Sequence, residues 1–326
     1  MEERLIVDYY MVMKKILILC TLLLTFGSIF AQEDVERRTL HFATTDGQEL
    51  MLDYYRSAAC GDSAPCMIFA FGGGFVGGDR AWEHYMHYFE ELARNGISVA
   101  SIDYRLGLKG LSGRIGVLGM IDIMKHSVDI AVEDMYAATR YIIDNAEQLG
   151  VDVSKIMLSG SSAGAITALQ AEWGRSEGLD AAKVLPRDFR YAGVVACAGA
   201  LFSKSGKPKF RNCPAPMLLF HGTSDCNVPY NKASIMGIGF YGSQYIVKQL
   251  DKLSSPYWFY SVEYADHRIA GTPYIYDCDL IMQFINDFVV RGESLQIRTD
   301  VVDLEGDKQP THFKVMDYVK TNYVRK

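Results

Sequence analysis

Three side chains of the types that nucleophilic catalysis requires follow apolar segments of this sequence. The first is Ser162, at the centre of a G-x-S-x-G pattern between an apolar run and a stretch with helical periodicity. Small residues on both sides of a serine relieve crowding in a tight strand-to-helix turn, which presents the hydroxyl above the sheet edge. The alternative is a turn of the same sequence in which Ser162 only caps the following helix. Ser162 is therefore a candidate nucleophile that needs a base and an acid.

Candidates for the base and the acid follow two later apolar segments. Asp225 comes first and His267 second, which gives the chain order Ser, acid, His that accompanies a G-x-S-x-G turn. Asp266 is an alternative acid, but a residue seldom folds back onto the ring of its neighbour, so Asp225 is preferred. His221 also ends an apolar run, which favours a packed structural role. The sequence thus predicts a triad of Ser162, His267 and Asp225.

Three consecutive glycines, Gly72–Gly74, directly follow the apolar segment Ile68–Phe71. A substrate can approach backbone N–H groups only where no side chain obstructs it, and an oxyanion hole needs two or three such donors. The alternative is a flexible surface loop, which the attachment to an apolar strand disfavours. The pattern predicts an oxyanion loop.

Predicted strands and helices alternate regularly along the sequence around these candidate residues. Alternating segments on both sides of Asp46-Gly47 predict an antiparallel hairpin, and the strands and helices beyond it predict a mostly parallel sheet covered on both faces. Predicted strands are 66–71, 97–103, 156–159, 192–197, 217–221 and 257–264, and predicted helices are 81–95, 130–149, 163–175, 244–253 and 274–290. We expect one catalytic domain over residues 32–326, because no repeat or linker interrupts the pattern.

Two stretches do not fit this alternation, 107–125 and 228–243. Loops beyond strand ends build the binding sites of α/β sheets, so both are predicted to form walls of a substrate pocket. Phe75 and Tyr241 are the candidate substrate contacts. The pattern does not place residues 294–326.

The N-terminus has the features of a cleavable signal peptide, predicted over residues 1–31 with an over-extended start at 1–12. A basic start at Met13-Lys14-Lys15 precedes an apolar run, and the small Ala31 precedes Gln32. The run is shorter than a membrane span, which needs about 20 apolar residues. We expect a secreted or periplasmic protein without a membrane anchor after cleavage.

The charge and cysteine content argue against two classes of function, nucleic-acid binding and metal binding. The formal net charge of −6 comes without long blocks of like charge, which excludes nucleic acid as an expected partner. Without a Cys-x-x-Cys pair, the sequence predicts no metal site. Six cysteines follow Cys20, and their pairing stays open; a local bridge between Cys60 and Cys66 is one possibility, and Cys197 is expected to be a buried thiol.

Taken together, the motifs resemble those of microbial carboxylesterases of the α/β-hydrolase superfamily, especially relatives of hormone-sensitive lipase and of feruloyl and acetylxylan esterases. The resemblance covers roughly Thr39 to Arg291 and is carried by FGGGF at 71–75, DYRL at 103–106, GSSAG at 160–164, HGTSD at 221–225 and DH at 266–267. It implies an α/β-hydrolase fold, the triad above and oxyanion N–H groups from Gly73, Gly74 and Ala163. It also implies hydrolysis of small-molecule or carbohydrate esters without a cofactor.

The sequence departs from the family at two places. Phe71 stands where relatives usually have histidine, so we expect packing of its ring to hold the glycine loop. Residues 107–109 read Gly-Leu-Lys where relatives often have Ala-Pro-Glu, so the cap is not predictable by analogy. An amidase or peptidase with the same triad, and a non-catalytic binding protein of the same fold, are the alternatives. Acyl and alcohol specificity and the oligomeric state stay open.

Overall fold

The alternating residues that precede Arg56 form the predicted hairpin. A computed structural model describes residues 34–111, 116–302, 304 and 307–323 of the chain, and Val35–Lys326 cluster as one unit. Strand β1 (Glu36–Thr45) pairs antiparallel with β2 (Gln48–Arg56), and Asp46 and Gly47 of the turn both have positive φ. The predicted signal peptide lies outside the described residues.

The buried apolar runs beyond the hairpin form a mostly parallel sheet, as predicted. Its further strands are β3 (Ala64–Ala70), β4 (Ser98–Ile102), β5 (Val151–Ser161), β6 (Gly193–Cys197), β8 (Met217–Gly222), β11 (Tyr257–Glu263) and β12 (Gln296–Val302), while β7 (Ala200–Ser203), β9 (Lys232–Ile235) and β10 (Ile238–Gly242) form a smaller sheet. Within the described part of the chain, the large sheet has the order β1-β2-β4-β3-β5-β6-β8-β11-β12. The pairs of β2 are antiparallel, and the pairs from β4 to β12 are parallel.

Helices pack against the two sheets and against one another, and their bounds differ from the predicted ones at several places. They are α1 (Met86–Arg94), α2 (Val117–Asp144), α3 (Ala146–Leu149), α4 (Ala163–Glu177), α5 (Ser243–Leu253), α6 (Pro273–Tyr276), α7 (Cys278–Phe284) and α8 (Val315–Tyr323). A 3₁₀ turn over Glu83–Tyr85 replaces the predicted start of α1. The predicted helix over 274–290 is divided into α6, α7 and a π-helical segment, Ile285–Val290.

Both stretches assigned to pocket walls contain regular structure. Helix α2 includes the second half of 107–125, whereas residues 112–115 lie outside the described ones. In 228–243, β9 and β10 form a hairpin whose turn residues Met236 and Gly237 both have positive φ, as in the two-residue turns that match strand twist. The second stretch is thus an addition to the small sheet, and its glycines concealed the strand pattern.

Residues 294–326, for which the sequence predicted no structure, add an edge strand to the large sheet and cover the loop after β8. Strand β12 adds to the edge beside β11. The Ser224 hydroxyl donates to the Gln309 carbonyl at 3.4 Å, and the Asn322 side chain donates to the Asn227 carbonyl at 3.0 Å. The C-terminal residues therefore pack against the loop that carries Asp225.

The cysteines described here are free thiols, so the possible bridge between Cys60 and Cys66 is not formed. Cys60 ends a 3₁₀ turn and directs its sulfur toward the Ala93 carbonyl, 3.6 Å away, whereas Cys66 lies within β3. Burial raises the pKa of the Cys66 thiol to about 12. Cys197 is buried at the end of β6, as expected.

A carboxyl group buried in α4, that of Glu172, makes the stability of the fold depend on pH. Glu172 Oε1 accepts the Ala215 N–H at 2.8 Å, while Oε2 has no hydrogen-bond partner among the described atoms. Burial raises the pKa of Glu172 from 4.5 to about 8, against smaller opposing effects of that N–H and of Arg175. The unfolded chain releases this proton at a lower pH than the folded one, so between these values stability falls as pH rises.

We expect Glu172→Gln to remove part of the decrease in Tm between pH 5 and pH 8, because the amide oxygen still accepts the Ala215 N–H and carries no titrating proton. Thermal unfolding followed by circular dichroism across this range measures the effect. Glu177→Gln, on the same helix but half-buried, is the matched control. Parallel Tm curves for Glu172→Gln and the wild type would refute a neutral Glu172.

Candidate active site

Ser162 occupies a strained turn between β5 and α4. Its φ of 51° and ψ of −113° are rare for a residue with a side chain, and its N–H donates to the Cys197 carbonyl at 2.9 Å. A Cβ on Gly164 would lie 2.0 Å from the Ala70 carbonyl oxygen, so only glycine allows the helix to approach β3 this closely. The Ser162 side chain makes no helix-cap hydrogen bond, so the interpretation of this residue as a simple cap is wrong.

The hydroxyl of Ser162 instead begins a chain of two short hydrogen bonds. Ser162 Oγ lies 2.8 Å from His267 Nε2, and His267 Nδ1 lies 2.7 Å from Asp225 Oδ2. An ionised carboxylate only accepts, so Nδ1 carries the proton of the neutral ring and Nε2 accepts from the serine. This arrangement can remove the serine proton when the oxygen attacks an electrophile.

Asp225 is completely buried and remains an anion. Its Oδ1 accepts the N–H groups of Asn227 at 2.8 Å and Val228 at 2.9 Å. Burial alone would raise the pKa of Asp225, but contacts with His221 and His267 outweigh it and hold the pKa well below its usual range. The negative charge is therefore available to stabilise a protonated His267.

His221 contacts Asp225, whereas the sequence suggested only a packed structural role for it. It is fully buried, and its Nε2 lies 3.2 Å from the Val228 carbonyl and 3.5 Å from Asp225 Oδ2. A carbonyl only accepts, so Nε2 is the protonated nitrogen and Nδ1 faces the Ser243 hydroxyl at 2.8 Å. The position of His221 four residues before Asp225 was the one signal in the sequence, and it did not predict this contact.

Asp266, the alternative acid, is engaged elsewhere. Its Oδ1 accepts the backbone N–H of Arg268 at 3.0 Å and the guanidinium of the same residue at 2.8 Å. These bonds start the turn that carries His267 and direct the carboxylate away from the ring. The geometry agrees with the preference for Asp225.

The glycine loop lies directly against the serine turn. A Cβ on Gly72 would lie 3.0 Å from Ser161 Oγ and 3.5 Å from the Ser162 Cβ. Gly73 and Gly74 both have positive φ, and within the described residues their N–H groups have no protein acceptor. Ala163 is the first residue of α4, where an N–H has no intrahelical partner. Unbonded donors thus occur on both segments that meet at Ser162.

The expected packing of Phe71 is confirmed. Its ring is almost fully buried, and its centroid lies 4.5 Å from that of Tyr104. On another side, a Cβ on Gly78 would come within 2.3 Å of Phe71 Cδ2. The glycine loop that follows Phe71 therefore packs around the ring of this residue.

Phe75 and Tyr241 do not form pocket walls in this structure. Phe75 is 2% exposed and packs against Tyr104, and its carbonyl accepts the Leu108 N–H at 2.9 Å. Tyr241 is 0% exposed in β10, where its hydroxyl donates to the Gly237 carbonyl at 3.0 Å. Neither side chain offers surface to a substrate, because apolar neighbours enclose both.

The described ranges contain no group of three His, Cys, Asp or Glu side chains arranged to hold a metal ion. No helix in these ranges combines the length and apolar character that a membrane crossing requires.

Comparison with known proteins gives partial sequence matches. The profile of the BD-FAE family matches residues 122–199. The probable N-octanoylanthranilate hydrolase AqdA2 of Rhodococcus erythropolis is 36% identical over 104 residues, which are 32% of this chain and 21% of that protein. Esterase LipI of Mycobacterium tuberculosis is 32% identical over 127 residues, 38% of this chain and 34% of that protein. The chain thus matches a minor part of the length of these relatives.

Similarity to solved structures is more extensive. The native structure of esterase 2 from Thermogutta terrifontis has a TM-score of 0.57 and 21% identity, with 85% of this chain and 96% of that chain covered. Its propionate-bound form has the same TM-score and 22% identity, with 81% and 97% covered. At this identity the likeness concerns the fold, and the sheet order and serine turn agree with it. The chain therefore has the α/β-hydrolase fold, and its partial sequence matches are to the BD-FAE profile and to esterases.

Proposed function

We propose that this protein is a serine esterase that hydrolyses carboxylic esters. The observation that carries the proposal is the unbroken path from Ser162 Oγ through His267 to Asp225, with hydrogen-bonding distances of 2.8 and 2.7 Å. The path starts beside unbonded backbone N–H groups, as acyl transfer requires. Esterase relatives of the same superfamily support the assignment.

In this mechanism, Ser162 attacks the ester carbonyl while His267 Nε2 takes the serine proton. Asp225 stabilises the imidazolium, and the N–H groups of Gly73, Gly74 and Ala163 bind the oxyanion of the tetrahedral intermediate. Collapse of this intermediate expels the alcohol, which receives the proton from His267. Water then attacks the acyl-enzyme by the same route and releases the carboxylic acid.

The proposed substrates are small-molecule esters or acyl groups on carbohydrates. The resemblance of the motifs to those of feruloyl and acetylxylan esterases and the expected export of the chain support a carbohydrate ester. Trp82 supports it as well. The residue is 54% exposed and its ring stacks on His84, which lies against Gly271 in the segment that follows His267. An exposed aromatic face of this kind offers a sugar ring an apolar surface.

Amide hydrolysis is the second candidate, because the name of one relative, an N-octanoylanthranilate hydrolase, specifies an N-acyl substrate. The triad serves both reactions. The comparison of an ester with an anilide of the same acyl group separates the two.

Steady-state kinetics with acetyl, butyryl, octanoyl and feruloyl nitrophenyl esters, each paired with its nitroanilide, test the function. We expect turnover of at least one ester and a higher kcat/KM for that ester than for its anilide. A higher value for the anilide would make the protein an amidase. If folded protein cleaves none of the compounds, the non-catalytic alternative replaces the proposal.

We also propose that the chain is exported and loses residues 1–31, so that the mature protein begins at Gln32. The proposal rests on the basic start, the apolar run and the small Ala31. N-terminal sequencing of protein secreted by a bacterial host tests it. A mature chain that starts at Met1 or Met13 would contradict cleavage.

A further inference from the structure

One peptide group before the glycine loop is held from both sides by buried tyrosines. The Tyr104 hydroxyl donates to the Phe71 carbonyl at 2.8 Å, and the Gly72 N–H donates to the Tyr85 hydroxyl at 3.3 Å. This carbonyl and this N–H belong to the same planar peptide unit, so the two hydroxyls together fix its orientation. We call Tyr85 and Tyr104 the tyrosine clamp.

Both members of the tyrosine clamp are themselves held firmly. Tyr104 is 1% exposed and packs against the Phe71 ring. Tyr85 is also 1% exposed, and its ring centroid lies 4.6 Å from that of Phe69 and 5.7 Å from that of Tyr274. Burial raises the pKa of both phenols, so each hydroxyl keeps its proton at neutral pH.

The peptide group that Tyr85 holds also lies beside the serine turn. Burial raises the pKa of Tyr85, and the nearby Ser161 side chain partly offsets this rise. Ser161 precedes the nucleophile and lies 3.0 Å from the position of a Gly72 Cβ. Tyr85 therefore holds the glycine loop at the residue where this loop meets the serine turn, and these two segments carry the oxyanion donors.

The first three residues of the glycine loop contribute no side chains that could fix its orientation. Gly72, Gly73 and Gly74 have no side chains to restrict their backbone angles. Phe71 has no side-chain donor or acceptor, so its ring fixes the loop by packing alone. The first rigid unit before the donors is the Phe71–Gly72 peptide group.

We propose that Tyr85 and Tyr104 are positioning residues that orient the N–H groups of Gly73 and Gly74 toward the developing oxyanion. This inference rests on the proposed esterase function. Removal of either hydroxyl lets the peptide group rotate and displaces the donors. The loss concerns the transition state more than the bound ester, because contacts to the oxyanion strengthen only as charge develops.

The experiment compares the variants Tyr85→Phe and Tyr104→Phe with Tyr88→Phe as the matched control. Tyr88 is fully buried, and its hydroxyl donates to Ser159 Oγ at 3.3 Å, outside the glycine loop. Each substitution removes one buried hydroxyl and keeps the ring, so the losses of stability should be similar. We measure kcat and KM on one activated ester, and the Ki of a trifluoromethyl ketone that forms a tetrahedral adduct with the serine.

We expect both clamp variants to lose about 10-fold or more in kcat with KM nearly unchanged, and the ketone Ki to rise by a similar factor. Tyr88→Phe should retain wild-type kcat and Ki. The clamp is overturned, and the esterase function left intact, if the wild type is active and both clamp variants have the same kcat and Ki as Tyr88→Phe and the wild type. A wild type that cleaves no ester would overturn the proposed function and the clamp with it.

Discussion

Ser162→Ala is expected to lower kcat for ester hydrolysis by about 10⁴- to 10⁶-fold, because it removes the oxygen that forms the acyl-enzyme in the proposed mechanism. Ser162 Oγ makes a hydrogen bond to His267 but none to its own helix, so the loss of the hydroxyl should leave Tm nearly unchanged. The rate is measured on a chromogenic ester, with circular dichroism to verify the fold.

Ser176→Ala is the control for this experiment, since Ser176 lies on the same helix and donates to the Trp173 carbonyl at 3.0 Å. It should retain the wild-type rate. If Ser162→Ala kept about one tenth of the wild-type kcat, another residue would have to be the nucleophile.

Asp225→Asn is expected to lower kcat by about 10⁴-fold with little change in structure. The amide oxygen can still accept the two N–H groups that now reach Oδ1. The amide NH₂ would then face His267 Nδ1, which favours the tautomer whose Nε2 carries a proton and cannot accept one from Ser162. Kinetics on the same ester measure the loss.

Asp266→Asn provides the comparison, because it changes the carboxylate directly next to His267 that pairs with Arg268. Its kcat should stay close to that of the wild type. A larger loss for Asp266→Asn than for Asp225→Asn would exchange the roles of the two acids.

The parts of this site that the sequence predicts are those encoded in short motifs at strand ends. Ser162, Asp225 and His267 each follow an apolar strand, and the parallel order of these strands brings their ends to one edge. The glycine loop follows a strand as well. Local patterns were sufficient here, because a parallel sheet converts chain order into spatial proximity.

The parts that escaped prediction depend on contacts between distant segments. Tyr85 and Tyr104 lie 13 and 33 residues from the backbone groups that they hold, and no spacing rule connects them. Phe75, in the glycine motif, and Tyr241, in an irregular stretch, were predicted to contact the substrate, but both side chains are buried. Residues 294–326 lacked a pattern of their own because an edge strand and a covering helix depend on the surface that they complete.

Covalent labelling with a fluorophosphonate, followed by mass spectrometry of the intact protein and of its peptides, tests directly whether Ser162 is the nucleophile. We expect one adduct per chain, on Ser162, and its loss in His267→Ala, because His267 Nε2 must take the proton of the attacking hydroxyl. Absence of an adduct on the folded wild-type protein, or an adduct on a different residue, would contradict the assignment of Ser162 as the nucleophile.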